Sequence, residues 1–206
     1  GKIATRLGNG LAPLEPGETD TVIIAGMGGD LICKILKAKP EFLIEGKELI
    51  LQPQSEWFKI RRLLKEYRYQ IEKEWFLKED GKYYVIIKAE PAWTQPQRLK
   101  HQQPSIHEYI KEISETPANQ AVSEKDMESI YEQYGKYLIE TKNPVLKEYL
   151  EKEITKKESI ATELKQSIKE IESEELSGKE RGNIAKRQRR YQEIQKEIRD
   201  MRKAIG

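Results

Sequence analysis

The chain holds 206 residues and has a formal net charge of +2. Charged residues make up 35% of the chain, against about 25% in typical domains. This composition predicts a modest hydrophobic core and an elongated, solvated element. The single cysteine, Cys33, excludes an internal disulfide, and only His101 and His107 accompany it, so we expect a reduced, metal-free intracellular protein. No apolar run approaches the roughly 18 residues of a membrane span, and we expect no membrane attachment.

Residues 1 to 91 alternate short apolar runs with helical patterns, which is typical of an α/β sheet. The predicted strands are Ile3 to Leu7, Thr21 to Ala25, Glu48 to Leu51, Tyr69 to Phe76 and Lys82 to Ala89. Asp80-Gly81 between the last two strongly indicates a hairpin. Two helices are predicted, Asp30 to Lys39 capped by Asp30 and Ser55 to Tyr67 capped by Ser55. The alternation places Trp75 in the core.

Residues 92 to 143 are predicted to form an insertion and connecting helices. The stretch "AWTQPQRLKHQQP" is polar with two prolines and is typical of an irregular connection. Helical patterns follow from Ser105 to Ser114 and from Ser123 to Ile139. Asn143 then offers a helix cap, with Pro144 at the first helical position.

Residues 144 to 206 are predicted to form an antiparallel helical hairpin. One apolar stripe runs from Leu146 to Ile171 and another from Ile184 to Ile205, so each helix needs the other to cover its stripe. The two glycines of "SGKERGN" are predicted to form the reversal. The arms differ in charge, because residues 145 to 175 hold six Lys and nine Glu, whereas residues 179 to 203 hold ten Lys or Arg and four acids.

Glycines or amides follow the early predicted strands, in "RLGNGL", "VIIAGMGG" and "LILQPQ". Glycine admits a tight turn or the close approach of a flat ligand, and an amide offers a donor and an acceptor to the edge of an adenine. Each stretch taken alone is compatible with an ordinary structural turn, and the spacing fits neither a dinucleotide loop nor a phosphate-binding loop. The three together favour a ligand crevice at the carboxyl ends of the strands.

The stretches "KIATRLGNGL", "VIIAGMGG", "LILQPQ" and "DGKYYVIIKAE", followed by a helical hairpin, closely resemble the TrmK family of tRNA (adenine-22, N1)-methyltransferases. The resemblance covers the chain except roughly residues 92 to 122. It implies a Rossmann-like class I methyltransferase sheet of α/β class, followed by an antiparallel coiled-coil hairpin. The "D-G-S-D-H-A" turn and the ribose-binding strand that the family carries upstream of "RLGNGL" do not occur in this chain, so the implied sheet is partial and has exposed edges.

The resemblance also implies a cofactor and its site. The cofactor is S-adenosylmethionine, and the residues implied to bind it are Gly8, Asn9, Gly10, Leu11, Ala25, Gly26 and Met27. The residues implied for the target adenine pocket are Gly28, Gly29, Gln52, Pro53, Lys82, Tyr83 and Tyr84. We name no catalytic acid or base, because adenine N1 already carries a lone pair and a sulfonium is a strong methyl donor, so placing the two in line can suffice.

Basic side chains offer two candidate RNA-binding groups. One lies on the helix after "LILQPQ" and the other on the second arm of the hairpin, and the residues are Lys59, Arg61, Arg62, Lys186, Arg187, Arg189 and Arg190. Such residues could follow the phosphates of tRNA. For the hairpin residues the alternative is a solvated helix face neutralised by the acidic arm, and for Lys59, Arg61 and Arg62 it is ordinary surface charge.

The predicted function is methylation of adenine N1 in tRNA, with S-adenosylmethionine as cofactor, by a cytoplasmic monomer. Its parts are a partial methyltransferase domain at residues 1–91, an insertion with connecting helices at 92–143 and the hairpin at 144–206. The alternative is a non-catalytic module that binds RNA or protein on an α/β scaffold. A third reading is self-association through the hairpin.

Overall fold

The computed structural model describes residues 3–94, 118–172 and 178–206. The chain divides into two compact units, residues 1–141 and residues 142–206, and the finer division at residues 91 and 143 stays a prediction. Among the described residues, no helix combines the length and apolarity that a membrane crossing requires. The helix predicted from Ser105 to Ser114 lies outside the described residues.

The first unit is built on a four-stranded mixed sheet in the order β1-β2-β4-β3. Its strands are β1 (Thr21–Met27), β2 (Glu48–Pro53), β3 (Tyr69–Glu79) and β4 (Lys82–Pro91). Strand β1 runs parallel to β2, and β4 runs antiparallel to both of its neighbours. The carboxyl ends of β1 and β2 therefore lie at the same end of the sheet as the turn between β3 and β4. The predicted α/β class is confirmed.

The hairpin predicted at Asp80-Gly81 is confirmed. Both residues have a positive φ, 47° for Asp80 and 75° for Gly81, which matches the twist that two-residue hairpin turns require. A register shift between Ile71 and Lys73 changes which side chains of β3 face the helices. Glu74 and Phe76 are buried there, at 2% exposure each, so the prediction of Trp75 in the core is wrong.

The segment Ile3 to Leu7, predicted as a strand, forms neither strand nor helix. Its large apolar side chains Ile3 and Leu7 are fully exposed. A strand is stable only where a neighbouring strand satisfies its backbone groups, and none of the described strands pairs with this segment. The prediction is wrong because the sequence pattern indicates a strand without supplying its partner.

Helices α1 (Gly29–Lys37), α2 (Pro40–Ile44) and α3 (Trp57–Glu66) lie in the first half of the chain. The core of this unit includes fully buried side chains of α1, α3 and the sheet, namely Ile32, Leu36, Ile60, Leu49, Leu51 and Ile87. Side chains at alternating positions of a strand point to opposite faces. Ile23 of β1 lies on the other face and is 67% exposed.

The caps predicted for α1 and α3 are wrong. Gly28 is the N-cap of α1 and Glu56 is the N-cap of α3, and neither makes a side-chain capping hydrogen bond to its own helix. The two helix starts instead bond to each other. The Gly29 N–H donates to the Ser55 carbonyl at 3.0 Å, and the Asp30 N–H donates to Glu56 Oε2 at 3.2 Å. Glu56 therefore caps the first turn of α1 from the neighbouring segment.

The helix predicted from Ser123 to Ile139 is broken into α4 (Ala118–Tyr134) and α5 (Lys136–Glu140). Gly135 forms the break, with a φ of 92°. A Cβ at this position would clash with Glu74 Oε2, and Glu74 forms a buried ion pair with Arg61. The break is therefore where the end of α4 meets a buried charge.

The second unit consists of α6 (Pro144–Glu172) and α7 (Gly178–Ile205). The predicted cap is confirmed, because Asn143 Oδ1 accepts from the N–H groups of Val145 and Leu146, each at 3.0 Å. The two helices run antiparallel, because Ser167 of α6 contacts Arg187 of α7 whereas the earlier Lys157 pairs with the later Glu197. Glu158 also pairs with Arg202. The coiled-coil geometry of the hairpin stays a prediction.

The reversal predicted in "SGKERGN" is misplaced. Helix α7 already begins at Gly178 and includes Gly182, so these glycines lie within the second arm. Residues 173–177, between the two helices in the sequence, lie outside the described residues.

Candidate functional site

The turn at residues 26–29 joins β1 to α1 at the carboxyl end of the sheet. Gly26 has a φ of 78°, a conformation that L side chains rarely adopt. Its N–H donates to Gln52 Oε1 at 2.8 Å, which ties the turn to the end of β2. A Cβ at Gly26 would meet nothing within 4 Å, so the backbone here faces open space. We call residues 26–29 the glycine turn.

Gly28 and Gly29 occupy this turn for different structural reasons. A Cβ at Gly29 would lie 2.6 Å from the Glu56 carbonyl and 2.7 Å from the Ser55 carbonyl, closer than real contacts allow. A Cβ at Gly28 would lie 3.2 Å from Ser55 Oγ, which is a rotatable hydroxyl. Packing therefore explains Gly29, whereas Gly28 and the 38% exposed Met27 form the surface that the turn presents.

Gln52 at the end of β2 carries an unsatisfied hydrogen-bond donor. Because Oε1 accepts from the Gly26 N–H, the orientation of the amide is set and Nε2 is the free end. That nitrogen is buried and has no hydrogen-bond partner. A buried unsatisfied donor costs about 1 to 3 kcal/mol, so a ligand acceptor placed against Nε2 would be stabilised here.

A cluster of charges that the sequence analysis missed lies beside the glycine turn. Lys59 Nζ lies 3.0 Å from Asp30 Oδ1 and 2.6 Å from Glu56 Oε1, and Lys34 Nζ lies 2.7 Å from Asp30 Oδ2. Hydrogen bonds from Lys34 and Lys59 lower the pKa of Asp30 to about 2. The hydrogen bond from Lys59, followed by that from the Asp30 N–H, lowers the pKa of Glu56. Both acids are therefore ionised at neutral pH.

A cleft of about 480 Å³ lies between α1 and α3 and is lined by Asp30 and Lys59 of this cluster. Two further cations line it and are paired with acids. Lys37 lies 2.8 Å from Glu66, and Arg62 lies 2.5 Å from Glu132. The cleft thus presents Lys59 and Arg62, two of the residues predicted to bind RNA, in positions fixed by internal carboxylates.

Arg61, predicted to bind RNA, is buried and takes part in a structural network. Its side chain is 4% exposed, and its Nε donates to Glu74 Oε1 at 2.8 Å. Its Nη1 donates to the carbonyls of Glu132 at 3.1 Å and Gln133 at 2.9 Å, which lie at the end of α4, where helix carbonyls lack intrahelical partners. Burial raises the pKa of Glu74, and Arg61 opposes that change. We therefore leave Arg61 out of the RNA surface.

The turn at Gly8 to Leu11, predicted to bind the cofactor, packs against α1. A Cβ at Gly10, whose φ is 56°, would lie 2.8 Å from Ile35 Cγ2, and Leu11 is buried at 7% exposure. Ile35 follows Gly29 by about 9 Å along the helix axis. The structure thus places this turn on the later part of α1, and its role in cofactor binding stays a prediction.

The predicted adenine-pocket residues of β4 begin that strand at the tip of the hairpin. Lys82, Tyr83 and Tyr84 lie at the same end of the sheet as Gln52 and Pro53. The Tyr83 ring packs against Phe76, with ring centres 5.9 Å apart. Their contact with an adenine stays a prediction.

The four basic residues predicted on the second arm differ in how they are held. Arg187 donates to Ser167 Oγ, and Arg190 Nη1 reaches Glu193 at 3.2 Å and Glu197 at 3.4 Å. Lys186 and Arg189 are exposed and have no ion pair within the described part of the chain. These two are the cations of the group that phosphates could reach without displacing an acid.

A family model described as TrmK, tRNA (adenine(22)-N(1))-methyltransferase, matches residues 1–128 of the chain. The chain is also 44% identical over 88 residues to the tRNA (adenine(22)-N(1))-methyltransferase of Bacillus subtilis (strain 168), a match that covers 43% of this chain and 37% of the relative. The matched part of the chain thus spans little more than a third of that curated relative.

Solved structures share the fold. The crystal structure of the B. subtilis tRNA methyltransferase TrmK matches with a TM-score of 0.62 at 24% identity, over 98% of this chain and 69% of that chain. Streptococcus pneumoniae Sp1610, a putative tRNA (m1A22) methyltransferase in complex with S-adenosyl-L-methionine, matches with a TM-score of 0.57 at 23% identity, over 98% of this chain and 67% of that chain. At these identities the likeness establishes the fold.

Proposed function

Because the chain belongs to the TrmK family of tRNA (adenine(22)-N(1))-methyltransferases, we propose that it transfers a methyl group from S-adenosylmethionine to N1 of an adenine in tRNA. The observation that carries the proposal is the glycine turn, which lies within the matched range and presents open backbone at the carboxyl end of β1. The protein acts as a monomer in the cytoplasm. The complex of the S. pneumoniae relative with S-adenosyl-L-methionine supports the choice of cofactor.

The residues at the turn fit such a cofactor and an adenine. When bound, S-adenosylmethionine supplies an electrophilic methyl group on a sulfonium. Gly26 leaves space at the backbone, and Met27 offers a polarizable apolar contact. Gln52 Nε2 supplies a donor that lacks a partner. Orienting the two reactants and excluding water is the main task left to the protein, because N1 needs no deprotonation before it attacks.

Cofactor binding is expected to depend on Met27. In calorimetric titrations of S-adenosylmethionine, Met27→Lys should weaken binding by at least about a hundredfold, because a charged amine at an apolar contact loses its hydration. Leu31→Lys is the matched control, since Leu31 is also apolar and exposed, at 49%, but lies on α1, and its affinity should match that of the parent protein. Both substitutions are compared in the chain and in the full product of its gene.

Wild-type affinity in the Met27 variant would refute the placement of the cofactor at the turn. The methyltransferase proposal fails if the parent chain and the full product of its gene both bind tRNA but not the cofactor. The interpretation as a non-catalytic RNA-binding module would then replace it.

On the hairpin, Lys186 and Arg189 are expected to contact tRNA phosphates. The double substitution Lys186→Glu and Arg189→Glu should weaken tRNA binding by at least about tenfold at low salt. The slope of log affinity against log salt should decrease by about two, because each phosphate contact releases about one counterion. Fluorescence anisotropy with labelled tRNA across a salt series measures both quantities.

The matched control for this experiment places the same charge change on the other arm. Lys152→Glu with Lys156→Glu alters two exposed lysines of α6 that are paired with Glu148 and Glu153, and the tRNA affinity should stay close to the parent value. Equal losses in the two double variants would mean that net charge alone matters, and the hairpin surface would lose its assigned role.

A further inference from the structure

Glu56 holds an unfavourable backbone conformation next to the glycine turn. Its φ is 53° and its ψ is 42°, in the left-handed region, at the start of α3. Such a conformation costs an L residue about 1 to 2 kcal/mol, and strain of this kind is concentrated at functional sites. Glycine or asparagine would adopt it more easily. The chain therefore keeps a long acidic side chain at a position whose backbone disfavours it.

The Glu56 carboxylate is fixed in place and still has room to accept. Oε2 accepts from the Asp30 N–H at 3.2 Å, and Oε1 accepts from Lys59 Nζ at 2.6 Å. Each carboxylate oxygen has two acceptor positions, so one on each remains. The side chain is 38% exposed, and Oε2 would lie 4.0 Å from a Cβ at Gly28. A group resting on Gly28 would thus lie within reach of this carboxylate.

Asp30 is less suited to that task. Both of its oxygens already have a lysine, Lys59 on Oδ1 and Lys34 on Oδ2. Glu56 has one lysine and one backbone N–H, which leaves more of its negative charge uncompensated. Of the two acids beside the glycine turn, Glu56 is therefore the better acceptor for a polarised N–H group.

Methylation of adenine N1 creates a need for such an acceptor. The N1 lone pair forms a bond to the methyl carbon while the carbon–sulfur bond breaks and leaves its electron pair on sulfur. The positive charge moves from sulfur to the adenine ring and is shared with the N6 amino group. A hydrogen bond from N6 to an ionised carboxylate then also joins two opposite charges and becomes stronger, and an interaction that strengthens in the transition state accelerates the reaction.

We propose that the Glu56 carboxylate accepts a hydrogen bond from the N6 amino group of the target adenine at the glycine turn, so that it orients N1 and stabilises the charge that develops on the ring. The inference rests on the proposed function. No proton moves during the transfer, and the immediate product is the cationic 1-methyladenine. The lowered pKa of Glu56 keeps the group ionised at neutral pH.

The test uses the full product of the gene and two tRNA substrates, one with adenine at the target position and one with purine, which lacks the N6 amino group. Glu56→Gln should lower kcat on the adenine substrate by at least about tenfold and leave the affinities for tRNA and S-adenosylmethionine unchanged. On the purine substrate, the parent enzyme should already be slow, and Glu56→Gln should not slow it further. Glu66→Gln, on the same helix and paired with Lys37, should leave both rates unchanged.

A second variant separates this role from a structural one. Glu56→Asn removes the carboxylate and also relieves the left-handed backbone, so the melting temperature should stay equal or rise while kcat on the adenine substrate falls as in Glu56→Gln. Equal slowing on both substrates, or full activity in either variant, would overturn the inference. If the parent enzyme transfers no methyl group to the adenine substrate, the proposed function itself fails, a result that the parent enzyme alone reveals.

Discussion

Replacing Arg61 with leucine is expected to lower the free energy of unfolding of the first unit by about 3 to 5 kcal/mol, the usual effect of removing one partner from a buried ion pair. The substitution leaves Glu74, 2% exposed, without its counterion. It also removes the donor to the carbonyls of Glu132 and Gln133 at the end of α4. Denaturant unfolding followed by tryptophan fluorescence measures the change, because Trp57, Trp75 and Trp93 all lie in this unit.

The neighbouring arginine supplies a matched control. Arg62 also pairs with a glutamate, Glu132, but its side chain is 65% exposed, and exposed pairs contribute about 0 to 1 kcal/mol. Arg62→Leu should therefore change the free energy of unfolding by less than about 1 kcal/mol. Similar losses in the two variants would mean that the Arg61–Glu74 pair is not the buried network that the structure describes.

The effect of Arg61→Leu should also depend on pH. Burial already raises the pKa of Glu74 while Arg61 opposes it, so without Arg61 the pKa rises further. A folded-state pKa above the unfolded value means that the folded state binds the proton more tightly, and stability is lost as pH rises from the unfolded pKa through the folded one. The deficit of the variant relative to the parent protein should thus be larger at neutral pH than at pH values near the unfolded pKa of a glutamate.

Local sequence patterns predicted the elements whose causes are local. Asp80-Gly81 defined the hairpin because the residues themselves favour positive φ, and Asn143 capped α6 because its side chain reaches the next N–H groups. The prediction of a strand from Ile3 to Leu7 was wrong because a strand needs a neighbouring strand to pair with. The prediction that Trp75 lies in the core was wrong because the register shift between Ile71 and Lys73 exchanges the two faces of β3. Alternation of apolar and polar residues does not reveal where a strand bulges.

The candidate site was predictable only in part. The sequence predicted that the glycine turn and Gln52 lie together, because parallel strands end at one edge of a sheet, and the structure joins them through the Gly26 N–H. Their role in binding stays a prediction. The ion-paired cluster of Asp30, Glu56 and Lys59 joins two helix starts whose contact cannot be read from either segment. Arg61 and Arg62 are adjacent in the sequence, and only their positions around the axis of α3 make one buried and the other exposed. Leu64, three residues after Arg61, is buried on the same helix. Its apolar side chain could have indicated that Arg61 lies on the inward face.

Gly29→Ala is expected to disrupt the site more than any other change at the glycine turn. The new Cβ would lie 2.6 Å from the Glu56 carbonyl and 2.7 Å from the Ser55 carbonyl, and backbone atoms cannot move aside as a side chain does. The two helix starts must therefore separate, which should lower the free energy of unfolding by about 1 to 3 kcal/mol. Because the same shift moves Glu56 and the turn, methyl transfer should fall by at least about a hundredfold. Unfolding curves and single-turnover rates measure the two effects.

Gly28→Ala is the matched comparison, since it adds the same methyl group one residue earlier. Its Cβ meets Ser55 Oγ at 3.2 Å, and that hydroxyl can rotate away, so stability should change by less than about 0.5 kcal/mol. The methyl group would nevertheless project towards the Glu56 carboxylate, into the space where we place the adenine. We therefore expect slow methylation with unchanged cofactor affinity. Wild-type methylation in Gly28→Ala would show that the adenine does not approach this backbone, and it would leave Gly29 with a packing role alone.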